Sequence, residues 1–246
     1  MKNINLLILA AGKGTRLGKK TKKKPKILLK YKKKFLFDYH LEVYRKFKNI
    51  SLNIVTGYKS HEIKNFVKKK NIKLFHNSNY SNTNMYYSFL KAKSLLSQKK
   101  DLIIIYGDII FKKKTIDEII KNKNQVSISV DKRFKSYWSK RMKNPLNDLE
   151  TLIIKNGYID ELGKKPKSYS EIHGQYMGIT KISQKYFKNI KKLILQINKK
   201  KSNYKKIYFT DFIQYLIDNK IKVSPSYNYG NWQEFDKPID FRINNF

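Results

Sequence analysis

Gly12-Lys13-Gly14-Thr15-Arg16 follows directly on Leu6-Leu7-Ile8-Leu9-Ala10-Ala11, and Lys24-Pro25-Lys26 comes soon after. Small residues at the end of a short apolar run leave several main-chain N–H groups free to face an anion, so Leu9, Ala10, Ala11, Gly12, Gly14 and Thr15 are expected to form a phosphate-cradling, nucleotide-binding loop. Arg16 and Lys26 would place two cations beside it, neutralising a triphosphate and the charge that builds during displacement at phosphorus; they are the expected catalytic pair. The spacing is neither G-x-x-x-x-G-K-[ST] nor G-x-G-x-x-G, which removes the main support for kinase, ATPase or NAD chemistry. Gly12 and Gly14 by themselves would mark only a turn after a first strand.

A second group is acidic. Gly107-Asp108 follows Leu102-Ile103-Ile104-Ile105-Tyr106, the most apolar strand candidate, so its carboxylate is expected at a strand's C-terminal end. Mg²⁺ takes few carboxylates and completes its shell with water and phosphate oxygens, so Asp108 with Asp236 of Trp232-Gln233-Glu234-Phe235-Asp236 would suffice as a metal site. A turn or cap role explains either aspartate taken singly. Tyr137, Trp138 and Tyr176 could wall a quaternary ammonium, and Asp131 or Glu171 could pair with an aminoalkyl group. Core packing and surface pairing with lysines are the plain alternatives. His40, His61, His76 and His173 lack metal-ligand spacing, and only His173, near Gln175, neighbours a candidate site.

The elements that must hold these groups alternate. Strands are predicted at Leu6–Leu9, Leu52–Thr56, Ile72–Phe75, Leu102–Tyr106 and Val126–Val130, with a brief extended piece at Lys26–Leu29. Helices are predicted at Phe37–Phe47, His61–Lys68, Met85–Leu96 and Ile116–Lys121. Branched aliphatic strands separated by helices imply a parallel sheet covered on both faces, with ligands at the carboxyl ends of the strands. In the second half Asn156-Gly157 predicts a hairpin between Thr151–Ile154 and Tyr158–Leu162. Tyr176–Ile182 and Lys222–Tyr227 are further strands, and Gln184–Ile197, Phe209–Asp218 and a piece near Pro238 are helices. The expected class is α/β: a Rossmann-like, mixed, mainly parallel sheet flanked by helices, with added antiparallel strands in the second half and one domain over 1–246.

The chain has 246 residues, 40% hydrophobic and 14% aromatic, enough for one full core. No apolar run is long enough to cross a bilayer and no secretory leader is evident, so a cytoplasmic protein without membrane contact is expected. The absence of cysteine leaves oxygen or histidine as metal ligands. A net charge of +37 points to polyanions, but the excess is lysine. Arg16, Arg45, Arg133, Arg141 and Arg242 are the only arginines, whereas nucleic-acid surfaces recruit arginine for bidentate contacts. No specific nucleic-acid partner is expected; a basic nucleic-acid-binding module is the rival class.

The string L-A-A-G-x-G-T-R-L, with K-P-K after a lysine-rich spacer, resembles the signature of nucleotidyltransferases that activate sugar phosphates and related phosphorylated small molecules. Asn82-Thr83-Asn84-Met85, Asp131 with Trp138, Asn144 to Asp148, Gly163 to Lys167 and Glu171 to Gly178 extend the likeness nearly end to end, to the phosphocholine cytidylyltransferase subgroup. The resemblance implies that Asp108 and Asp236 bind catalytic Mg²⁺, that Asn84 helps hold base and ribose, and that Lys165 contacts the acceptor phosphate. It implies an enzyme moving CMP from CTP to a small phosphorylated or phosphonate acceptor of phosphocholine or aminoethylphosphonate type, with pyrophosphate released. Asp131, Trp138, Lys165, Glu171, Gln175 and Tyr176 are the expected acceptor residues. A sugar-1-phosphate nucleotidyltransferase is the closer alternative. Tyr106 and Phe235 depart from the subgroup's usual residues, which leaves the acceptor open. A monomer or homodimer is expected.

Overall fold

The apolar run at the N-terminus becomes β1 (Ile4–Ala10), with Leu6, Leu7 and Ile8 wholly buried, as a strand covered on both faces requires. The protein is described by a computed structural model covering residues 3–246. Two short paired strands, β2 (Lys30–Tyr31) and β3 (Lys34–Phe35), lead into α1 (Leu36–Tyr44). Then β4 (Ile50–Thr56), α2 (Ser60–Val67), β5 (Ile72–His76), α3 (Met85–Lys91) and β6 (Asp101–Tyr106) continue the alternation. A short β7 (Ile109–Phe111) precedes α4 (Lys113–Lys121), β8 (Val126–Asp131) and α5 (Phe134–Arg141). The hairpin β9 (Leu152–Lys155) and β10 (Tyr158–Leu162), β11 (Gln175–Ile182), α6 (Phe187–Lys200), α7 (Phe209–Asp218), β12 (Val223–Asn228) and β13 (Trp232–Glu234) complete it.

Seven strands form one sheet in the order β12-β8-β11-β6-β1-β4-β5. All neighbours are parallel except around β11, which runs antiparallel to both β6 and β8, so the sheet is mixed and mainly parallel. Alternate residues feed two cores. Leu7, Leu9 and Ile104 pack with Phe187, Phe209 and Phe212 of α6 and α7; Leu6, Ile8, Ile103 and Ile105 pack with Phe37 of α1 and with Phe134, Tyr137 and Trp138 of α5.

The chain lays β4 and β5 on one side of β1 and then crosses to place β6 on the other. Leu9 stands opposite Tyr106, and the Gly107 N–H donates to the Leu9 carbonyl at 2.9 Å. The loops that leave β1 and β6 therefore open onto one crevice, at the switch point where α/β sheets bind ligands.

Several expected boundaries move. Lys26–Leu28 is a 3-10 turn closed by Leu28 N–H to the Pro25 carbonyl, where an extended piece is expected. The helix expected over 85–96 stops at Lys91 and resumes as a 3-10 turn, Lys93–Ser97. The helix expected from Gln184 starts as the 3-10 turn Gln184–Tyr186, and the piece near Pro238 is a single 3-10 turn, Pro238–Phe241. Helix α5 is unforeseen, although Phe134, Tyr137 and Trp138 keep helical spacing. The Asn156-Gly157 hairpin is as expected; φ values of 49° and 78° are those a two-residue type I′ turn needs.

Candidate active site

Gly14 carries the turn out of β1. Its φ of +64° is costly for a side-chain-bearing residue, and a Cβ there would lie 3.1 Å from Lys26 Cε and 3.1 Å from Thr21 Cγ2. The missing side chain lets the Lys26 stem cross the loop, and Thr21 Oγ1 donates to the Gly14 carbonyl at 3.0 Å to fix the turn. Gly57 backs the same loop: a Cβ would meet the Ala11 carbonyl at 2.7 Å, and that carbonyl accepts the Tyr58 N–H at 2.9 Å.

Lys26 Nζ lies 2.9 Å from Asp108 Oδ2 and 3.0 Å from Asp236 Oδ1, while Arg16 Nη1 lies 2.7 Å from Asp236 Oδ2. Burial opposes a charge on Lys26, but the two carboxylates outweigh it and hold the ammonium above its ordinary value. Lys26 is therefore a fixed cation at any working pH, not a proton donor. Asp108 ends up beside Asp236 because β7 pairs antiparallel with β13, Ile109 opposite Glu234, and Phe235 N–H donates to the Asp108 carbonyl at 2.9 Å. A strand from the chain's far end thus carries the second carboxylate to the first.

The crevice above these groups is lined by Leu9, Ala10, Ala11, Gly12, Gly14, Arg16, Lys26, Tyr80, Asn84, Met85, Tyr106 and Asp108 among others. Loop, cations, Asn84 and Asp108 share one wall-to-wall cleft. Asn84 precedes α3 and is pinned there: its N–H donates to the Lys205 carbonyl and its Nδ2 to the Lys206 carbonyl. Thr15 is exposed at the start of a 3-10 turn and does not line the cleft.

The expected acceptor residues fare differently, and two are corrected. Asp131 is wholly buried, and its carboxylate accepts from Trp232 Nε1 (2.8 Å), Gly230 N–H (2.8 Å) and Arg133 N–H (2.9 Å), so it anchors β13 to β8 and has no face to offer a ligand. Trp138 is likewise core: it packs 6.1 Å from Trp232 and donates Nε1 to Asp148. Tyr137, expected in the same wall, is buried with its hydroxyl on the Glu234 N–H. Tyr176 is buried behind Tyr106, whose ring it meets edge-on at 5.8 Å, and its hydroxyl bonds Thr180 Oγ1. Gln175 is buried with Oε1 unpartnered. Lys165 is exposed and bonds the Leu146 carbonyl. Glu171 accepts the Lys167 N–H at 2.7 Å, and His173 accepts the Ile154 N–H at 3.0 Å, which ties it to the hairpin.

A buried network missed in the sequence supports Asp236. Arg141, on α5, bonds Asp240 through Nε (2.9 Å) and Nη2 (3.3 Å) and Glu234 through Nη1 (2.8 Å). Asp240 Oδ2 in turn accepts the N–H groups of Asp236 (2.8 Å) and Lys237 (2.7 Å), so the guanidinium fixes the backbone that presents the second carboxylate. The available signal was one of only five arginines in a chain rich in lysine.

The geometry fits a divalent cation. Two carboxylates converge on one nitrogen within 3.0 Å, so the site is already shaped to gather acids around a single positive charge. No three His, Asp or Glu side chains gather as metal ligands among the described residues, at this site or away from it. Mg²⁺ needs no such cage when phosphate oxygens supply the rest of its shell.

The sequence profile of the family described as MobA-like NTP transferase domain matches residues 6–177. CTP:phosphoglutamine cytidylyltransferase of Campylobacter jejuni is 38% identical over 252 aligned positions, spanning 98% of both chains. The bifunctional protein GlmU of Buchnera aphidicola is 28% identical over 87% of this chain and 44% of its own length. The structure of CTP:phosphocholine cytidylyltransferase from Streptococcus pneumoniae superimposes with a TM-score of 0.75 at 20% identity, covering 98% of this chain and 96% of that one; it shares the fold.

Proposed function

Because this chain belongs to the MobA-like NTP transferase domain family, we propose that it is a CTP-dependent cytidylyltransferase acting on a small phosphorylated acceptor with a cationic nitrogen. One observation carries the reading: Arg16, Lys26, Asp108 and Asp236 meet within hydrogen-bond distance at the mouth of the β1 loop. The acceptor class rests on the relative that spans the whole chain, since glutamine bears an α-ammonium.

In the proposed reaction an oxygen of the acceptor's phosphate attacks the α-phosphorus of CTP, the bond to the bridging oxygen of the β-phosphate breaks, and pyrophosphate leaves with that electron pair. The product joins CMP to the acceptor phosphate, and no enzyme-linked intermediate is needed. The main-chain N–H groups of the Gly12–Gly14 loop hold the triphosphate, and Arg16 and Lys26 offset charge on it. Asp108 and Asp236 would hold Mg²⁺, which when bound neutralises triphosphate charge and orients the leaving group. Lys26, whose stem crosses the loop at Gly14, would supply its ammonium to the phosphates.

Pyrophosphate release from CTP, with Mg²⁺ and either phosphorylated glutamine or phosphocholine, tests this. Release with hexose 1-phosphates in preference would replace the acceptor class. Release from no nucleoside triphosphate, with polynucleotide binding that survives physiological salt, would move the protein to the basic nucleic-acid class.

A further inference from the structure

Asn77 follows β5 immediately and is wholly buried, with both ends of its side-chain amide engaged. Its N–H donates to the Thr56 carbonyl at the end of β4 (2.8 Å), and its side-chain oxygen accepts the Asn79 N–H at 3.1 Å. A backbone N–H can only donate, so this second bond fixes which end of the amide is oxygen. The other end, Nδ2, lies 3.0 Å from Thr83 Oγ1 and 3.1 Å from Ser88 Oγ, and both hydroxyls must accept from it.

The two hydroxyls then differ. Thr83 passes its own proton to the Asn79 carbonyl at 2.8 Å. Ser88, on α3, gives its proton to no acceptor among the described residues, not even the Asn84 carbonyl one turn back, which takes the Ser88 N–H instead. Yet Ser88, only 6% exposed, lines the cleft. A buried hydroxyl whose acceptor side is filled and whose proton is unspent is a donor that a ligand oxygen can satisfy. The charged end of the cleft, with Arg16, Lys26 and Asp108, suits the phosphates, whereas Tyr80, Thr83, Met85 and Ser88 bring no formal charge and suit the nucleoside.

We propose that Ser88 donates its hydroxyl proton to the C2 carbonyl of the pyrimidine base, and that Asn77 is the positioning residue that keeps Ser88 a donor. The assignment rests on the cytidylyl-transfer reading for the identity of the nucleotide. Ribose hydroxyls can donate or accept and need no wall group of fixed sense; a carbonyl can only accept, and this one is cytosine's sole carbonyl. Adenine has none, so ATP would leave the Ser88 proton unpaired. Asn77 sets the polarity: were its Nδ2 an acceptor, Ser88 would turn its proton inward and show the cleft lone pairs alone, which repel a carbonyl. Because Asn77 is buried, bonded to β4 and tied through Asn79, this polarity is set before the nucleotide arrives.

The test titrates CTP and 2-thio-CTP, in which sulfur, a weak acceptor, replaces that oxygen, onto the full chain by calorimetry without divalent metal or acceptor. Wild type should bind CTP about tenfold more tightly than 2-thio-CTP, and Ser88→Ala should bring the two within about twofold by weakening CTP alone. Asn77→Asp keeps the bond to the Asn79 N–H but offers Ser88 an acceptor, so it should erase the same difference with the hydroxyl still present. A loosened loop would instead weaken both nucleotides equally and preserve the difference. Thermal melts identify an Asn77→Asp chain that fails to fold, and the Ser88→Ala arm then decides alone. A wild type indifferent to the sulfur, or a Ser88→Ala variant that keeps the preference, overturns the assignment; a folded Asn77→Asp variant that keeps it overturns the role of Asn77. Pyrophosphate release is read separately: if no acceptor supports it while the binding difference stands, the reaction is wrong and the base contact is not.

Discussion

Lys26 spans two carboxylates with one nitrogen, so its removal has two consequences of different kind. Lys26→Ala should lower pyrophosphate release by roughly a hundredfold or more, the scale of losing one transition-state donor, and should also lower the melting temperature, because Asp108 and Asp236 are left facing each other with only Arg16 to offset them. Unchanged release would contradict its role. Asp108→Asn should abolish turnover with little change in melting without metal, since Lys26 keeps Asp236. The melting shift that Mg²⁺ with CTP gives wild type should then vanish; a variant that unfolds would mark Asp108 as structural. At Glu150, burial, then Asp211 and Asp148, push the carboxyl up to about 7. A raised carboxyl costs the folded state as it ionises: the penalty is absent below the ordinary glutamate range, grows as pH rises towards 7 and is complete above it. Glu150→Gln should therefore raise the melting temperature by a few degrees at pH 8 and not at pH 4, read by thermal melts at both. Loss of stability at pH 8 would mean a hidden partner. Arg16, Lys26 and Asp108 were legible because their placement depends on short stretches of chain beside strands β1 and β6. Asp131 and Trp138 were not: what buries them is Trp232, which returns about a hundred residues later.

Among elements, strand β13 is what assembles the site, since its pairing with β7 carries Asp236 to Asp108. Three residues of mixed polarity gave no strand signal, whereas the five-residue apolar runs of the central sheet could hardly be anything else. Helix α5 was hidden for the opposite reason: its aromatics suggested a ligand wall, but their i, i+3, i+4 spacing turns one face into the core and aims Arg141 at Asp240. Strand β11 is a second assembling device: its pairing with β8 shifts register between Tyr176 and Thr180, where Gly178 at φ +77° packs on the Tyr106 ring. Gly178→Ala should destabilise by about 1–3 kcal/mol, from a positive φ and the clash with Tyr106. Thermal melts of the two proteins should show the loss, because the Tyr106 ring must move away from the new Cβ. An unchanged melting temperature would contradict the close packing of Gly178 on that ring.

Across the whole molecule, the sheet order brings the β1 and β6 loops to one switch point, and the fold class follows from the alternating apolar runs that the sequence displays. The +37 charge is spread over lysines, and its effect on function is general: it favours the triphosphate and disfavours a cationic acceptor everywhere except where acids are left unpaired. That makes acceptor choice the property most dependent on a few residues and least visible in composition. The central claim is reached most directly by competition: the full chain is given equimolar ATP, CTP, GTP and UTP with Mg²⁺, together with phosphorylated glutamine, phosphocholine, aminoethylphosphonate and glucose 1-phosphate, and mass spectrometry reads which linked product accumulates. The account predicts a cytidine product of a nitrogen-bearing acceptor, formed with one pyrophosphate each. Accumulation of a nucleotide sugar, or of no linked product from any pair, would contradict it.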